Sequence, residues 1–196
     1  MHIGTHFLAG WLVGVSQRDL TPGELGAIAF AGVAPDLDGL PLLVDKIGAL
    51  LGRETFYYER WHHVLAHNLG AALVFSAVVA ALARHGHRAK VALFAFLSVH
   101  LHLFFDLIGS KGADGSHWPI PYLSPFSQVW QVEWRGQWMF NSWQNTTILA
   151  ALLVLTVWTA WKYGRSPVVL VSQKADEQVV AALRSRFGIP AAPLPR

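Results

Sequence analysis

The sequence contains no cysteine, which excludes disulfides, thiolate nucleophiles and sulfur-ligated structural zinc together. Any metal must therefore be held by imidazole and carboxylate. Charge is scarce too. Charged residues make up 14% of the chain against 53% hydrophobic, with a mean hydropathy of +0.36. That composition is too apolar for an ordinary soluble domain, and 196 residues suffice for one domain. The Gly-x-Ser-x-Gly turn of serine hydrolases is missing, and there is no internal repeat beyond a helical hairpin. A pI near 9.5 raises the question of nucleic acid. The basic residues are not interleaved with aromatics on one face, however, so no nucleic-acid partner is expected.

What the chain has instead is long apolar runs. Residues 68–83, 91–108 and 145–161 approach the roughly 20 apolar residues that a bilayer span needs, and 3–16 and 25–34 are shorter. Met1 to Ser16 carries no basic leader and no small-residue cleavage site, so the first run is expected to stay in the mature protein. The expectation is an all-α integral membrane bundle of four to five embedded or spanning helices. A small cytoplasmic tail, α or αβ, would follow, the domains being 1–163 and 164–196. Residues 39–61 read as an amphipathic surface segment, and 109–144 as a cap over a site. Within the cap, residues 127–142 suit either a hairpin or a short interfacial helix. In the tail, Val168 to Gln173 reads as strand-like and 174–188 as helix.

Histidine and aspartate sit at alternate ends of these runs, so folding them up and down gathers the polar groups on one side. Thr5-His6 opens the first run and Pro35-Asp36-Leu37-Asp38 closes the second. His62, His63 and His67 precede the third, and His102 with Asp106 closes the fourth. Ionisable groups beside lipid are costly without partners, which makes a shared metal site the natural explanation. His102 and Asp106 are one helical turn apart and can clamp one ion. His100, two residues earlier, points elsewhere as a packing group. His63 and His67 have the same four-residue spacing if that segment is helical; if the helix starts later, His62 turns in instead. Pro35 ends the second run, so Asp36 and Asp38 can bridge two ions, or bind one and orient a histidine.

The ligand set His6, Asp36, Asp38, His62, His63, His67, His102 and Asp106 exceeds one ion's needs, so two ions are expected, zinc first, with manganese or iron open. Asp36 or Asp38 would serve as base. Lys111 and Arg60 lie near enough to neutralise phosphate charge, although both also suit interfacial snorkelling.

Five of the fifteen Lys and Arg residues fall on the His/Asp side and ten on the other, which predicts a cytoplasmic C-terminus and a site facing the exterior or periplasm. Eight of the twelve carboxylates share the site side, giving that face the negative field a divalent cation favours.

Four motifs in order carry a resemblance to a known family. They are Thr5-His6 with Gly10, Pro35-Asp36 with Asp38, His62 with His67, and His102 with Asp106 followed by Gly112, Trp118 and Pro119. The succession resembles the bacterial YdjM-like membrane-bound metal-dependent hydrolases, some of them described as LexA-controlled, over about residues 1–160. Where that family shows His-Arg-Gly-x-Thr-His-Ser, this chain has His62-His63-Val64-Leu65-Ala66-His67-Asn68, losing a basic residue suited to an anion. The resemblance favours His62 as ligand. The His102/Asp106 helix is also similar to part of the zinc-dependent phospholipase C and P1-type nuclease fold, which implies phosphoester chemistry. The expected function is hydrolysis of a phosphoester in a lipid or lipid-linked substrate at the bacterial inner membrane. A non-catalytic metal-binding or metal-transporting protein is the alternative, and a structural module using its tail for a partner is a third. Oligomeric state is not encoded readably.

Overall fold

In the computed structural model, residues 1–62 and 64–190 are described. The architecture is all-helical, and only two isolated β-bridges interrupt it among these residues. The helices are α1 (Ile3–Gly14), α2 (Pro22–Ala31), α3 (Pro41–Leu50), α4 (Tyr57–Trp61), α5 (Leu69–Leu82), α6 (Arg88–Gly109), α7 (Trp143–Tyr163) and α8 (Gln173–Phe187).

Local chemistry sets the breaks between them. Thr21 caps α2 reciprocally with Glu24, and Pro22 occupies the first turn where no amide hydrogen is required. Pro35 and the 3-10 turn Ala34–Gly39 end that run and swing the chain into α3. Asn68 starts α5 by accepting from the Ala71 amide at 2.8 Å. Gly164, in the left-handed region at φ 75°, closes α7.

At 22 and 21 residues, α6 and α7 are each long enough, about 30 Å, to cross a bilayer. These two helices pass a length and hydropathy test for spanning, and α2 with the segment 34–50 makes a third if that pair, bent by 54°, is one span. α1 and α5 are shorter apolar helices.

α1, α2, α5 and α6 pack around two buried clusters, one of Trp11, Val15, Leu20, Leu25, Ile28 and Val91, the other of Ala31, Ala72, Ala95 and Val99. Small residues set the closest crossing: a Cβ on Gly10 would lie 2.3 Å from Ser98 Oγ and 3.0 Å from the Ala29 backbone. At the far end from the His/Asp groups, Glu24 accepts from the Arg84 amide and guanidinium, and Lys90 pairs with Asp19 at 2.7 Å.

The appendage is helical. Val168 to Gln173 forms no strand; the 3-10 turn Pro167–Leu170 takes its first half and Gln173 opens α8, because Ser166 caps the Val168 amide and no partner strand is present among the described residues. The segment 39–61 splits into α3 and α4, joined where Asp45 accepts from the Tyr57 and Tyr58 amides at 2.9 and 2.7 Å. Residues 127–142 form neither a regular hairpin nor a helix. They fold as a loop tied by the Ile120–Val132 and Lys111–Met139 bridges.

Candidate metal centre

Four elements deliver the site. The first turn of α1 supplies His6, the 3-10 turn after α2 supplies Asp36 and Asp38, the loop before α5 supplies His67, and the last turns of α6 supply His102 and Asp106. One donor atom each from His6, Asp36, His102 and Asp106 lies within 4.8 Å of the others, a group that can hold a metal ion. His6, His67, His102 and Asp106 are almost wholly buried, at 1%, 0%, 0% and 2% exposure.

Hydrogen bonds fix the imidazole faces. His102 Nδ1 lies 2.8 Å from the Gly32 carbonyl, which can only accept, so Nδ1 carries the hydrogen and Nε2 presents its lone pair. His67 Nδ1 donates in the same way to Asp38 Oδ2 at 3.0 Å. The two Nε2 atoms then face each other at 3.0 Å, with Asp106 Oδ2 3.0 Å from one and 3.3 Å from the other. Three electron-rich atoms converging in a buried space repel one another unless a proton on His67 or a metal ion lies among them. Donors about 2.1 Å from a shared ion stand roughly 3.0–3.5 Å apart, the spacing found here.

His6 stacks on His102 with ring centroids 3.7 Å apart, and its Nε2 is 3.3 Å from Asp106 Oδ1. Neither nitrogen of His6 makes a hydrogen bond among the described residues, and Asp36 Oδ2 likewise has no partner there. Buried polar atoms left open in this way fit ligands awaiting an ion. The Met1 amino group also meets Asp106 Oδ1 and sits 2.7 Å from Ser110 Oγ.

Asp38 has a different position. Its oxygens receive His62 Nδ1 at 2.7 Å, His67 Nδ1 at 3.0 Å and the Ala66 amide at 3.1 Å. This carboxylate orients two imidazoles, one of the two roles that the sequence leaves open for it. His62 stands one step out from the cluster, stacked on Tyr58. α4 ends at Trp61 and α5 begins at Leu69, so His67 precedes its helix; His63 lies outside the described residues. His100 turns away, bonding to the Phe96 carbonyl and the Tyr122 hydroxyl. Lys111 is not in the cluster. Its backbone is held by Trp138 and Phe140, and its side chain lines the cavity outside the site.

That cavity, about 780 Å³, is bounded by Asp36, Asp106, His62 and Tyr58 on the inside and by Ile3, Leu40, Leu43, Trp118 and Phe140 further out. A second, of about 360 Å³, adjoins it through Tyr58, His62 and Trp118. Burial, then the negative charges of Asp36, Asp38 and Asp106, raise the Tyr58 phenol above its usual value, so it remains a neutral donor. For His67, burial pushes the imidazole down, but hydrogen bonds to Asp106 and Asp38 outweigh it and hold the ring up at about 9. The site attracts positive charge.

Sequence reasoning missed Tyr58, Ser110, Gly32 and Gln137. Gln137 Nε2 donates to the Asp106 carbonyl at 3.0 Å and its Oε1 accepts from the Trp118 amide at 2.9 Å, pinning the cap onto the end of α6. None of these four carries a local signal, because each acts through a contact that only the fold creates.

Residues 1–182 match the family described as the YdjM inner membrane protein, and the chain belongs to that family. The resemblance read from the sequence covers about residues 1–160, but the match runs on into α8, so most of the appendage lies within the family's extent. No curated protein and no solved structure matches the chain, and the similarity to phospholipase C and P1-type nucleases rests on one motif alone.

Proposed function

We propose that the protein is a multi-pass, membrane-bound metal-dependent hydrolase that cleaves a phosphoester of a lipid or lipid-linked substrate. The observation that carries this reading is the convergence of His67 Nε2, His102 Nε2 and Asp106 Oδ2 within 3.3 Å of one another in a buried space. His6, Asp36, His102 and Asp106 would hold one ion, zinc by preference for nitrogen and oxygen donors without sulfur. His67 with the shared Asp106 marks a second position, which has fewer donors and would lose its ion first on dialysis. A bound divalent ion there supplies Lewis-acid polarisation of a phosphoryl oxygen and acidifies water.

The chain's own groups do the rest. Asp36 Oδ1 stands 3.8 Å from His102 Nε2, while its Oδ2 is buried without a hydrogen-bond partner among the described residues, in a side chain that borders the cavity. Asp36 Oδ2 takes the proton as the water oxygen bonds to phosphorus and the phosphorus–oxygen bond to the leaving alcohol breaks; the departing alkoxide takes its proton from solvent. Asp38 holds His67 and His62 in the tautomers the site requires. Lys111 offsets phosphate charge from the cavity wall.

Elemental analysis of protein purified without chelator, followed by a phosphodiester and carboxylic-ester panel, tests this. One to two equivalents of metal, with phosphodiesterase activity that chelator removes and Zn²⁺ or Mn²⁺ restores, are expected. Metal-loaded protein inert toward the whole panel would falsify the hydrolase reading and leave a metal-binding or metal-transporting protein.

A further inference from the structure

The mouth of the site is built for an apolar chain. Ile3, Leu40, Leu43 and Phe140 line the outer cavity while remaining 62%, 55%, 58% and 44% exposed. Among the described residues lining it, Lys111 is the one lysine or arginine. A site for soluble phosphoesters would gather more cations and polar groups at its rim.

α3 extends this surface away from the ligands. None of its residues is buried against the described chain. Val44, Ile47, Leu50 and Leu51 continue the apolar strip beyond Leu43, at 52%, 57%, 86% and 71% exposure. Ten residues give a track about 15 Å long. The track leads to the gap between α3 and the start of α1, with Asp36 and Asp106 at its inner end. In an inner membrane protein an exposed apolar strip of this kind suits lipid, and here it is continuous with the outer lining of the cavity at Leu42 and Leu43.

We infer that the substrate reaches the site sideways from the bilayer, with one long hydrocarbon chain of a lipid phosphoester lying along α3 and its phosphate between Lys111 and the Asp36/Asp106 floor. The phosphate's seat and its cleavage rest on the metal-dependent hydrolase reading; the seating of the hydrocarbon chain on α3 does not. Tyr58 links the two regions, since Asp45 of α3 holds its amide and its ring stacks on His62. A chain seated on α3 is therefore one contact removed from the imidazole network.

Two measurements on the full-length protein in nanodiscs test the inference. The first compares nitrophenyl phosphodiesters carrying a methyl or a hexadecyl group. The hexadecyl ester should have a kcat/KM at least tenfold higher, and Leu43→Asp should lower kcat/KM for the hexadecyl ester at least tenfold more than for the methyl ester, with metal content retained; Leu43→Met should keep the hexadecyl advantage. The second uses a photoactivatable acyl-chain phosphatidylcholine and maps the labelled peptides. Labelling within residues 40–51 should be competed by hexadecylphosphocholine and not by diacylglycerol, and Leu43→Asp should abolish the competable part. Equal rates for both esters, or labelling of α3 that no phosphate-bearing lipid displaces, overturns lateral access. Inert esters with the competable label intact would instead sink the hydrolase reading and keep the lipid site.

Discussion

His67 sits between two carboxylates, with Nδ1 3.0 Å from Asp38 and Nε2 3.3 Å from Asp106, and with no exposed surface. Its folded value of about 9 lies above the ordinary 6.5, so in metal-free protein the bound proton stabilises the fold. That contribution is complete below about pH 6.5 and is lost as pH rises through about 9. Melting temperatures of the metal-free protein should therefore fall from pH 6.5 to 9.5, and Asp38→Asn should flatten the decline. A flat profile in the parent protein would show that no proton is held there. A metal must displace that same proton, so affinity should weaken about tenfold for each pH unit below 9 while one proton is released. His102→Ala and Asp106→Ala should each remove bound metal, and His67→Ala should remove the second, weaker ion, all three leaving membrane insertion intact. At this scale the sequence is informative for pairs one turn apart on a helix: His102 and Asp106 needed only their spacing. It names His6 from its place at the end of the first run but not the stacking on His102, which a crossing of α1 and α6 creates, and it leaves open the choice between His62 and His63, the second of which lies outside the described residues.

Between helices, the site depends on how closely α1, α2 and α6 approach. Gly32 has two roles, for its carbonyl receives His102 Nδ1 and a Cβ there would stand 2.6 Å from Ser98 Oγ and 3.0 Å from the His6 carbonyl. Gly32→Ala should therefore move His102 and His6 together, lowering metal occupancy as well as stability, by about 1–3 kcal/mol of overpacking. Ser98→Ala in the same chain removes the hydroxyl clash but not the backbone one, so it should recover part of the melting temperature and little of the metal. Full recovery of both would show that the hydroxyl alone mattered. The helices themselves were legible, because apolar runs bounded by Thr21-Pro22, Pro35 and Asn68 leave few alternatives. Val168 to Gln173 was not, since β-branched residues favour a strand only where a neighbouring strand accepts the ladder, and here Pro167 and Ser166 start a turn instead. The cap was legible as a long loop and no further. Its fastening by Gln137 and Asn145, the latter bonding to the Gly109 and Phe140 carbonyls, depends on contacts with the ends of α6 and α7.

For the molecule as a whole, alternate placement of His and Asp along the apolar runs amounted to a topological statement, and the convergence of α1, the turn after α2, the loop before α5 and the end of α6 follows from it. The number of spans did not follow, because α1 and α5 are too short to decide by length and α2 bends into α3. Orientation has its own physics. Arg84, Lys90 and Arg165 are engaged in the fold, Arg84 with Glu24, Lys90 with Asp19 and Arg165 with the Leu20 and Gln17 carbonyls. Insertion nevertheless reads the nascent chain before those bonds exist, so all ten positive charges on that side count against five on the other. The absence of cysteine makes a clean test available. Ser116→Cys, exposed on the cap, and Ser185→Cys, exposed on α8, report the two sides separately. In cells with a permeabilised outer membrane, an impermeant maleimide should label position 116 directly and position 185 only after the inner membrane is opened. The opposite pattern would put the metal centre in the cytoplasm and any lipid phosphoester it takes in the inner leaflet.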